Sequence, residues 1–277
     1  MATIQWYPGH MNKARNQLQE KMSLLDVLVE VLDARIPLAS RNPMINDLIA
    51  KKPHIVILNK ADLADPKITE SWINYFNKQN TPAIAMDSLH NNNMKRLFQL
   101  IKQVAKPKLD RLAEKGASNP TIRIALCGIP NCGKSTVINR LVGKNVAEVG
   151  NRPGVTKGQS WLKTSENVQI LDTPGILWPK FDDQSVGYKL AAFGAIKETI
   201  FHADDVAFYL IDLLKENYPK NLATFARVAV DDYASNPELL LAMTEKYGMR
   251  DDYDRFSLFM LQQLRKGKLG RISLDRP

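Results

Sequence analysis

The sequence predicts an α/β protein: a mostly parallel sheet flanked by helices, followed by an all-α region. Three observations carry this. Across residues 24–171, short apolar runs alternate with segments of helical period, the pattern of parallel strands joined by helical crossovers. A glycine-rich turn, Gly128-Ile129-Pro130-Asn131-Cys132-Gly133-Lys134-Ser135, stands between one such run and one such helix. From residue 185 onward the strand pattern stops. Apolar residues then recur at three- and four-residue spacing, as in Phe208, Leu210, Ile211 and Leu214.

Taken in order, Pro8-Gly9 marks a turn, and Met11, Ala14, Leu18 and Met22 predict a helix over 11–22. Residues 24–32 read as a strand ending at Asp33-Ala34-Arg35-Ile36-Pro37, and Asn42-Pro43 opens a short helix to about residue 50. A strand over 54–58 ends in Asn59-Lys60-Ala61-Asp62. A helix over 66–79, a strand over 83–86 ending at Asp87-Ser88, and a helix over 93–104 follow. Residues 105–120 are basic and contain Gly, Ser and Pro, so they read as a linker. The strand over 122–127 enters the glycine turn, and the helix after it, over 133–141, stops at Gly143. Residues 144–159 are polar loop. Two edge strands, 160–163 and 168–171, lead to Asp172-Thr173-Pro174-Gly175. Helices are expected over 186–202, 204–217, 219–229, 236–247 and 251–266. The reading divides the chain into an α/β domain, 1–180, and a helical domain, 185–277.

The 277 residues are 44% hydrophobic and 24% charged, ordinary for a globular protein. The net charge of +9 points to an acidic partner, of which nucleic acid is the usual one. The excess lies forward: residues 201–277 hold 11 Lys/Arg against 12 Asp/Glu. Lys13, Arg15, Arg41, Lys51, Lys52, Lys106, Lys108, Arg111, Lys115 and the cluster at 265–271 are candidate phosphate contacts. No paired-aromatic RNA signature is present. Cys127 and Cys132 lack both metal spacing and the numbers for a disulfide framework, so free thiols are expected. No apolar run approaches membrane-spanning length and the N-terminus has no signal-type core. The expectation is a cytoplasmic protein with no membrane partner.

The glycine turn fits G-x-x-x-x-G-K-[ST] without mismatch. Glycines at 128 and 133 let the backbone curl, so that N–H groups along Asn131, Cys132, Gly133, Lys134, Ser135 and Thr136 point at phosphate oxygens. Lys134 would reach the β- and γ-phosphates, where negative charge grows during transfer, and the Ser135 hydroxyl would ligate Mg²⁺. Asn59, Lys60, Ala61 and Asp62 stand at a strand end. There an Asp carboxylate can accept two N–H bonds from a guanine edge, a pair adenine does not offer. Asp172 is placed to hold Mg²⁺ through water, Thr156 to add a second hydroxyl, and the Gly175 N–H to bond the γ-phosphate.

These motifs resemble the GTPase superfamily, with the order changed: NKAD precedes the phosphate loop, and DTPG follows it. This resembles a circularly permuted GTPase domain, in which strand neighbours persist and the chain break moves. WYPGHMNKA, DARIP at 33–37, NKADL at 59–63, GIPNCGKST at 128–136, PGVTKG at 153–158 and LDTPGILWP at 171–179 are similar to the ribosome biogenesis GTPase A (YlqF/RbgA) family. The resemblance implies a GTP-hydrolysing assembly factor that binds GTP and GDP, acts on the large ribosomal subunit, and contacts its rRNA partly through the helical domain. DNA is not an expected partner.

Two departures from ordinary GTPases matter. The guanine-ring loop reads Ser88-Leu89-His90, so only the backbone role of Ser88 carries over. Ile176 follows the sensing glycine, where Ras-like proteins place a water-orienting Gln, so slow intrinsic hydrolysis is expected. His10 is a candidate to orient or activate water, or it packs structurally. Asn131 is a candidate ligand for K⁺ beside the phosphates, or it stabilises the turn. Two functions stay open at this level: a subunit-stimulated GTPase, and a nucleotide-gated RNA-binding or signalling module in which hydrolysis is incidental.

Overall fold

A computed structural model describes residues 4–45, 52–90, 93–144 and 161–277. Six strands form one sheet: β1 (Val27–Asp33), β2 (His54–Asn59), β3 (Ala83–Met86), β4 (Ile122–Cys127), β5 (Trp161–Lys163) and β6 (Val168–Leu171). Their order is β3-β2-β1-β4-β6-β5, parallel except for β5 against β6. β1 is buried at every position and rich in Val and Leu, as a strand covered on both faces must be. Cross-strand register aligns Asp33 with Asn59 and Asn59 with Met86, so the loops after β1, β2 and β3 leave from one edge.

The helices packed around this sheet are α1 (Gly9–Lys21), α2 (Pro66–Lys78), α3 (Met94–Glu114) and α4 (Lys134–Val142). α2 begins where Asp65 accepts from the Lys67 and Ile68 amides and Pro66 fills the first turn, which needs no N–H there. β1 starts later than its apolar run because residues 22–24 form a short 3₁₀ turn.

The linker expected over 105–120 is a correction. α3 runs on through Pro107 to Glu114. Ala105 is buried on the same face as Leu97 and Ile101, and Lys108 Nζ reaches Asp26 Oδ2 at 2.6 Å. Continued packing outweighs the hydrogen bond that proline removes. The short helix expected up to residue 50 runs out of the described residues, as do most of the 144–159 loop and Ser160.

Beyond β6 lie α5 (Gln184–Ala192), α6 (Ala203–Asn217), α7 (Pro219–Ala226), α8 (Asn236–Lys246) and α9 (Tyr253–Arg265). α5 is ten residues shorter at its end than the 186–202 expectation. Gly194, at φ +78°, turns the chain, and the 193–195 amides close back on Lys189, Ala191 and Leu190. α8 starts with a reciprocal Ser235–Glu238 capping box. Phe256, Met260 and Leu264 of α9 pack with Val206, Leu210 and Leu214 of α6, and all six are buried. Each such side chain contributes roughly 2 kcal/mol by leaving water.

After α9 the chain returns to the sheet as a strap. The Ile272 amide donates to Leu63 O at 3.2 Å and the Leu274 amide to Arg35 O at 2.7 Å. Asp275 accepts from the Ala39 amide at 2.7 Å and from Lys189 Nζ at 2.8 Å. The helical region is thereby sewn to the loops after β1 and β2.

Candidate functional site

The site is built on the sheet edge where β1, β2, β3, β4 and β6 end, the edge at which open α/β sheets take ligands. Glycine is required at two places in the 128–135 turn. A Cβ on Gly128 would lie 2.3 Å from Val31 O, and one on Gly133 would lie 2.1 Å from Asn59 Nδ2. Gly133 also has φ +97°, which other residues resist. Lys134 is buried, and its Nζ donates to Ile129 O at 2.8 Å, inside the curl of the turn. Ser135 and Thr136 occupy the first turn of α4.

The loop after β2 is tied directly to this turn. Asn59 Nδ2 donates to Cys132 O at 2.8 Å, while Asn59 Oδ1 accepts from the Ser88 amide at 3.3 Å. One buried amide therefore joins three loops. Lys60 Nζ donates to Asn131 O at 2.5 Å and pairs with Asp33 Oδ2 at 3.1 Å. The Ala61 amide donates to Met86 O at 3.0 Å. Asp62 stands beside Asp87 and His90, with ligand atoms of the three within 4.8 Å. Burial, and then the Asp87 charge, push the Asp62 carboxyl above its ordinary value. His90 Nδ1 meets Asp87 Oδ2 at 2.6 Å. Asp62 thus lies on the same sheet edge as Lys134.

Three further contacts support this loop pair, the first from the Asp33-Ala34-Arg35 stretch at the end of β1. Asp33 and Arg35 form a buried two-bond pair, 2.8 and 2.7 Å. Burial pushes the Asp33 carboxyl up, but Arg35 and Lys60 outweigh it and hold the group below the usual carboxylate range. Arg140 of α4 donates to Ser88 O at 3.1 Å and to Leu89 O at 2.5 Å, fixing the loop after β3. Arg271 of the strap donates to Ala61 O and Ala64 O at 2.9 and 2.8 Å. An acid and an arginine two residues apart at a strand end was a readable signal for the first. Arg140 and Arg271 act on backbone carbonyls, which a sequence does not display.

The Asp172 loop closes the third side. Its Oδ1 is buried without a hydrogen-bond partner among the described residues. Burial pushes its carboxyl up to about 6 against the opposing charge of Lys134. Thr173 donates its hydroxyl to Leu126 O. Gly175 lies against the phosphate turn, where a Cβ would come within 2.6 Å of Pro130 N. The Ile176 amide donates to Gly128 O at 3.1 Å, and its side chain is buried. Thr156 lies outside the described residues. A buried, partnerless carboxylate oxygen beside the hydroxyl-bearing first turn of α4 suits a hard dication with oxygen ligands, so the residues present fit Mg²⁺.

His10 is exposed in the first turn of α1. Its neighbour Met11 is buried, and Met11 Sδ accepts from the Leu177 amide at 3.4 Å, so that turn abuts the segment leaving Gly175. Asn131 has φ +59°, and its Nδ2 donates to Gly194 O at 2.6 Å. Part of the 265–271 cluster is engaged within the fold. Arg265 donates to Ala191 O and Ala192 O and pairs with Glu198, and Arg271 is held by the β2 loop. Two of its guanidinium groups serve internal contacts.

Residues 123–244 match the family model described as 50S ribosome-binding GTPase; the match starts inside β4, so the NKAD loop precedes it. "Ribosome biogenesis GTPase A" of Priestia megaterium is 45% identical over 99% of this chain and 97% of its own length. The protein of the same name from Thermotoga maritima is 32% identical, over 99% and 95%. The chain belongs to the ribosome biogenesis GTPase A family. A GDP-bound structure of a YlqF superposes with TM-score 0.67 and 26% identity, covering 94% of this chain and 99% of that one. The GNP-bound YlqF from T. maritima gives 0.65 over 96% and 98%. As a ribosome biogenesis GTPase A family member, the protein is a GTPase of ribosome biogenesis. Among the described residues no helix is long and apolar enough to cross a membrane.

Proposed function

We propose that this GTPase binds GTP at the sheet edge, hydrolyses it on an immature large ribosomal subunit, and leaves as GDP. The single observation that carries the reading is the Asn59–Cys132 and Lys60–Asn131 contact pair. It joins a guanine-reading loop and a phosphate loop that lie some seventy positions apart in reversed order.

Asp62 accepts the guanine N1–H and N2–H, Lys60 covers the base with its stem, and the Ser88 backbone faces O6. Backbone amides over residues 131–136 and Lys134 hold the phosphates. Ser135, Thr156 and Asp172 would hold Mg²⁺, Asp172 through water. When bound, that ion neutralises charge on the β- and γ-oxygens. Gly175 donates its N–H to the γ-phosphate. Its tight approach to Pro130 means that a change at the phosphate bears on the segment leading to α5.

Ile176 cannot orient water, so intrinsic turnover is slow and the subunit supplies stimulation. His10, carried on the turn beside Leu177, is the proposed water-positioning group, and Asn131 the proposed K⁺ ligand. Contacts to rRNA are directed at its backbone through basic side chains, which makes them salt-sensitive. The test is GTP turnover with and without purified large subunits, in K⁺ and in Na⁺. Stimulation by subunits, greater in K⁺, is expected. Turnover indifferent to subunits would favour hydrolysis as incidental.

A further inference from the structure

A cavity of about 580 Å³ lies in the helical region, away from the GTP site, between α7, the end of α8, α9 and the strap. Its size is that of a small-molecule or nucleotide site. Three cations, Lys220, Arg227 and Lys268, line it, and no carboxylate does. Two come from the two ends of α7, Lys220 in its first turn and Arg227 at the residue that ends it, and Lys268 comes from the strap. None has an acidic partner among the described residues.

The last 77 residues carry slightly more acid than base. Lys189 is paired with Asp275, Arg265 with Glu198, and Arg271 is held by carbonyls, while Lys246, Arg255 and Lys266 have no acidic partner among the described residues. Like charges converging without a counter-charge raise the local potential and favour an anion.

The walls are aromatic. Tyr247 and Phe259, both half-buried, stand 5.3 Å apart between ring centres, and the Arg227 guanidinium lies 4.3 Å from the Tyr247 ring centre. Arg227 holds this place from a left-handed backbone at φ +58°, unusual for a non-glycine residue. Asn221 and Gln263 add amide groups to the lining. Gly270 lets Asn221 pack close: a Cβ there would meet Asn221 Nδ2, which donates to Leu269 O at 2.8 Å. Cations for a phosphate, flat faces for a base and amides for its edge together describe a nucleotide unit.

We propose that this cavity takes an unpaired nucleotide of an RNA strand, its phosphates on Lys220, Arg227 and Lys268 and its base against the Tyr247–Phe259 wall. The proposal rests on the rRNA-binding part of the proposed function and gives it a place. The strap that supplies Lys268 and Gly270 continues into Arg271, which holds Ala61 O of the guanine loop. Occupied, the site lies next to an anchor of the nucleotide pocket.

The experiment is fluorescence anisotropy of a labelled oligouridylate with the full chain, across a salt series, for three proteins. These are the unaltered protein, a Lys220→Ala/Arg227→Ala/Lys268→Ala variant, and Phe259→Leu, which stays apolar, loses some volume and removes the aromatic face. GDP affinity is measured on each and is expected unchanged, which shows that the fold is intact. The triple variant is expected to bind more weakly by tenfold or more, with its log–log salt slope reduced by about 2. Phe259→Leu is expected to lose about tenfold with the slope unchanged. Equal oligouridylate binding by all three proteins overturns the proposal. So does UMP binding as tightly as the oligomer, which would assign the cavity to a free nucleotide. Subunit-stimulated turnover separates the two readings. If the unaltered protein binds oligouridylate through the cavity yet subunits do not stimulate it, the cavity assignment stands and the proposed function fails. If stimulation and RNA binding both survive in the triple variant, the cavity assignment fails alone.

Discussion

Lys60 Nζ sits 2.5 Å from the carbonyl oxygen of Asn131 and 3.1 Å from Asp33 Oδ2, so one ammonium joins the loop after β2, the glycine turn at 128–135 and the end of β1. Burial pulls the Lys60 pKa down, and Asp33 opposes that pull. Asp33 is in turn held by Arg35, whose guanidinium lies 4.4 Å from the Phe193 ring centre and donates to Arg265 O at 3.1 Å. A line of charge thus runs from the helical region to the phosphate turn.

Lys60→Met keeps the stem and removes the ammonium. GDP and GTP affinity should both fall by about tenfold or more, since two charge-assisted contacts between the loops are lost and Asp33 keeps only Arg35. Titration with a fluorescent GDP analogue measures this. Unchanged affinity would mean the two loops hold their places without the bridge.

Arg271→Ala frees the carbonyls of Ala61 and Ala64. The guanine loop should loosen, with a three- to tenfold faster release of GDP and a small change in melting temperature. Stopped-flow release of the same analogue reads it. An unchanged off-rate would show that the strap is not needed by the loop.

Asp172 carries a carboxyl pushed up to about 6 by burial, and a cation requires its ionised form. Apparent Mg²⁺ affinity of the GDP-bound protein should be level above pH 7 and fall as pH drops through 6, approaching tenfold per unit. Asp172→Asn should remove that part of the slope. Identical slopes for both proteins would place the ion elsewhere.

Glu30 stands buried in β1, 3.4 Å from Arg41, with neither carboxylate oxygen in a hydrogen bond. Burial pushes its carboxyl up to about 7 from an ordinary 4.5. Between those values the folded state holds the proton that the unfolded state releases. Glu30 therefore favours folding less and less as pH rises through the window. Glu30→Gln should stabilise the protein by roughly 2 to 3 kcal/mol at pH 8 and by little at pH 5. Denaturant unfolding at both values checks it.

Much of this architecture was readable because local chemistry and global fold agree. The apolar runs at 54–58, 83–86 and 122–127 are strands because nothing but a doubly covered sheet accommodates them. The turn at 128–135 announces itself because only glycine can pass Val31 O and Asn59. The part that escaped is tertiary. Pro107 and its basic neighbours look like linker until Ala105 and Lys108 find the sheet. The expected helix over 186–202 stops early because Gly194 turns the chain toward Asn131. The internal bonds of Arg265 and Arg271 reach carbonyls many tens of residues away in the chain, which no local pattern displays.

The most direct measurement is displacement of a fluorescent GDP analogue by GTP, XTP and ATP, from the unaltered protein and from Asp62→Asn. If Asp62 reads the guanine edge, the unaltered protein prefers GTP over both competitors. Asp62→Asn then loses about a hundredfold for GTP and gains XTP, whose ring offers an acceptor where guanine has a donor. ATP competing as well as GTP, or Asp62→Asn leaving the order of preference as it was, would contradict the account.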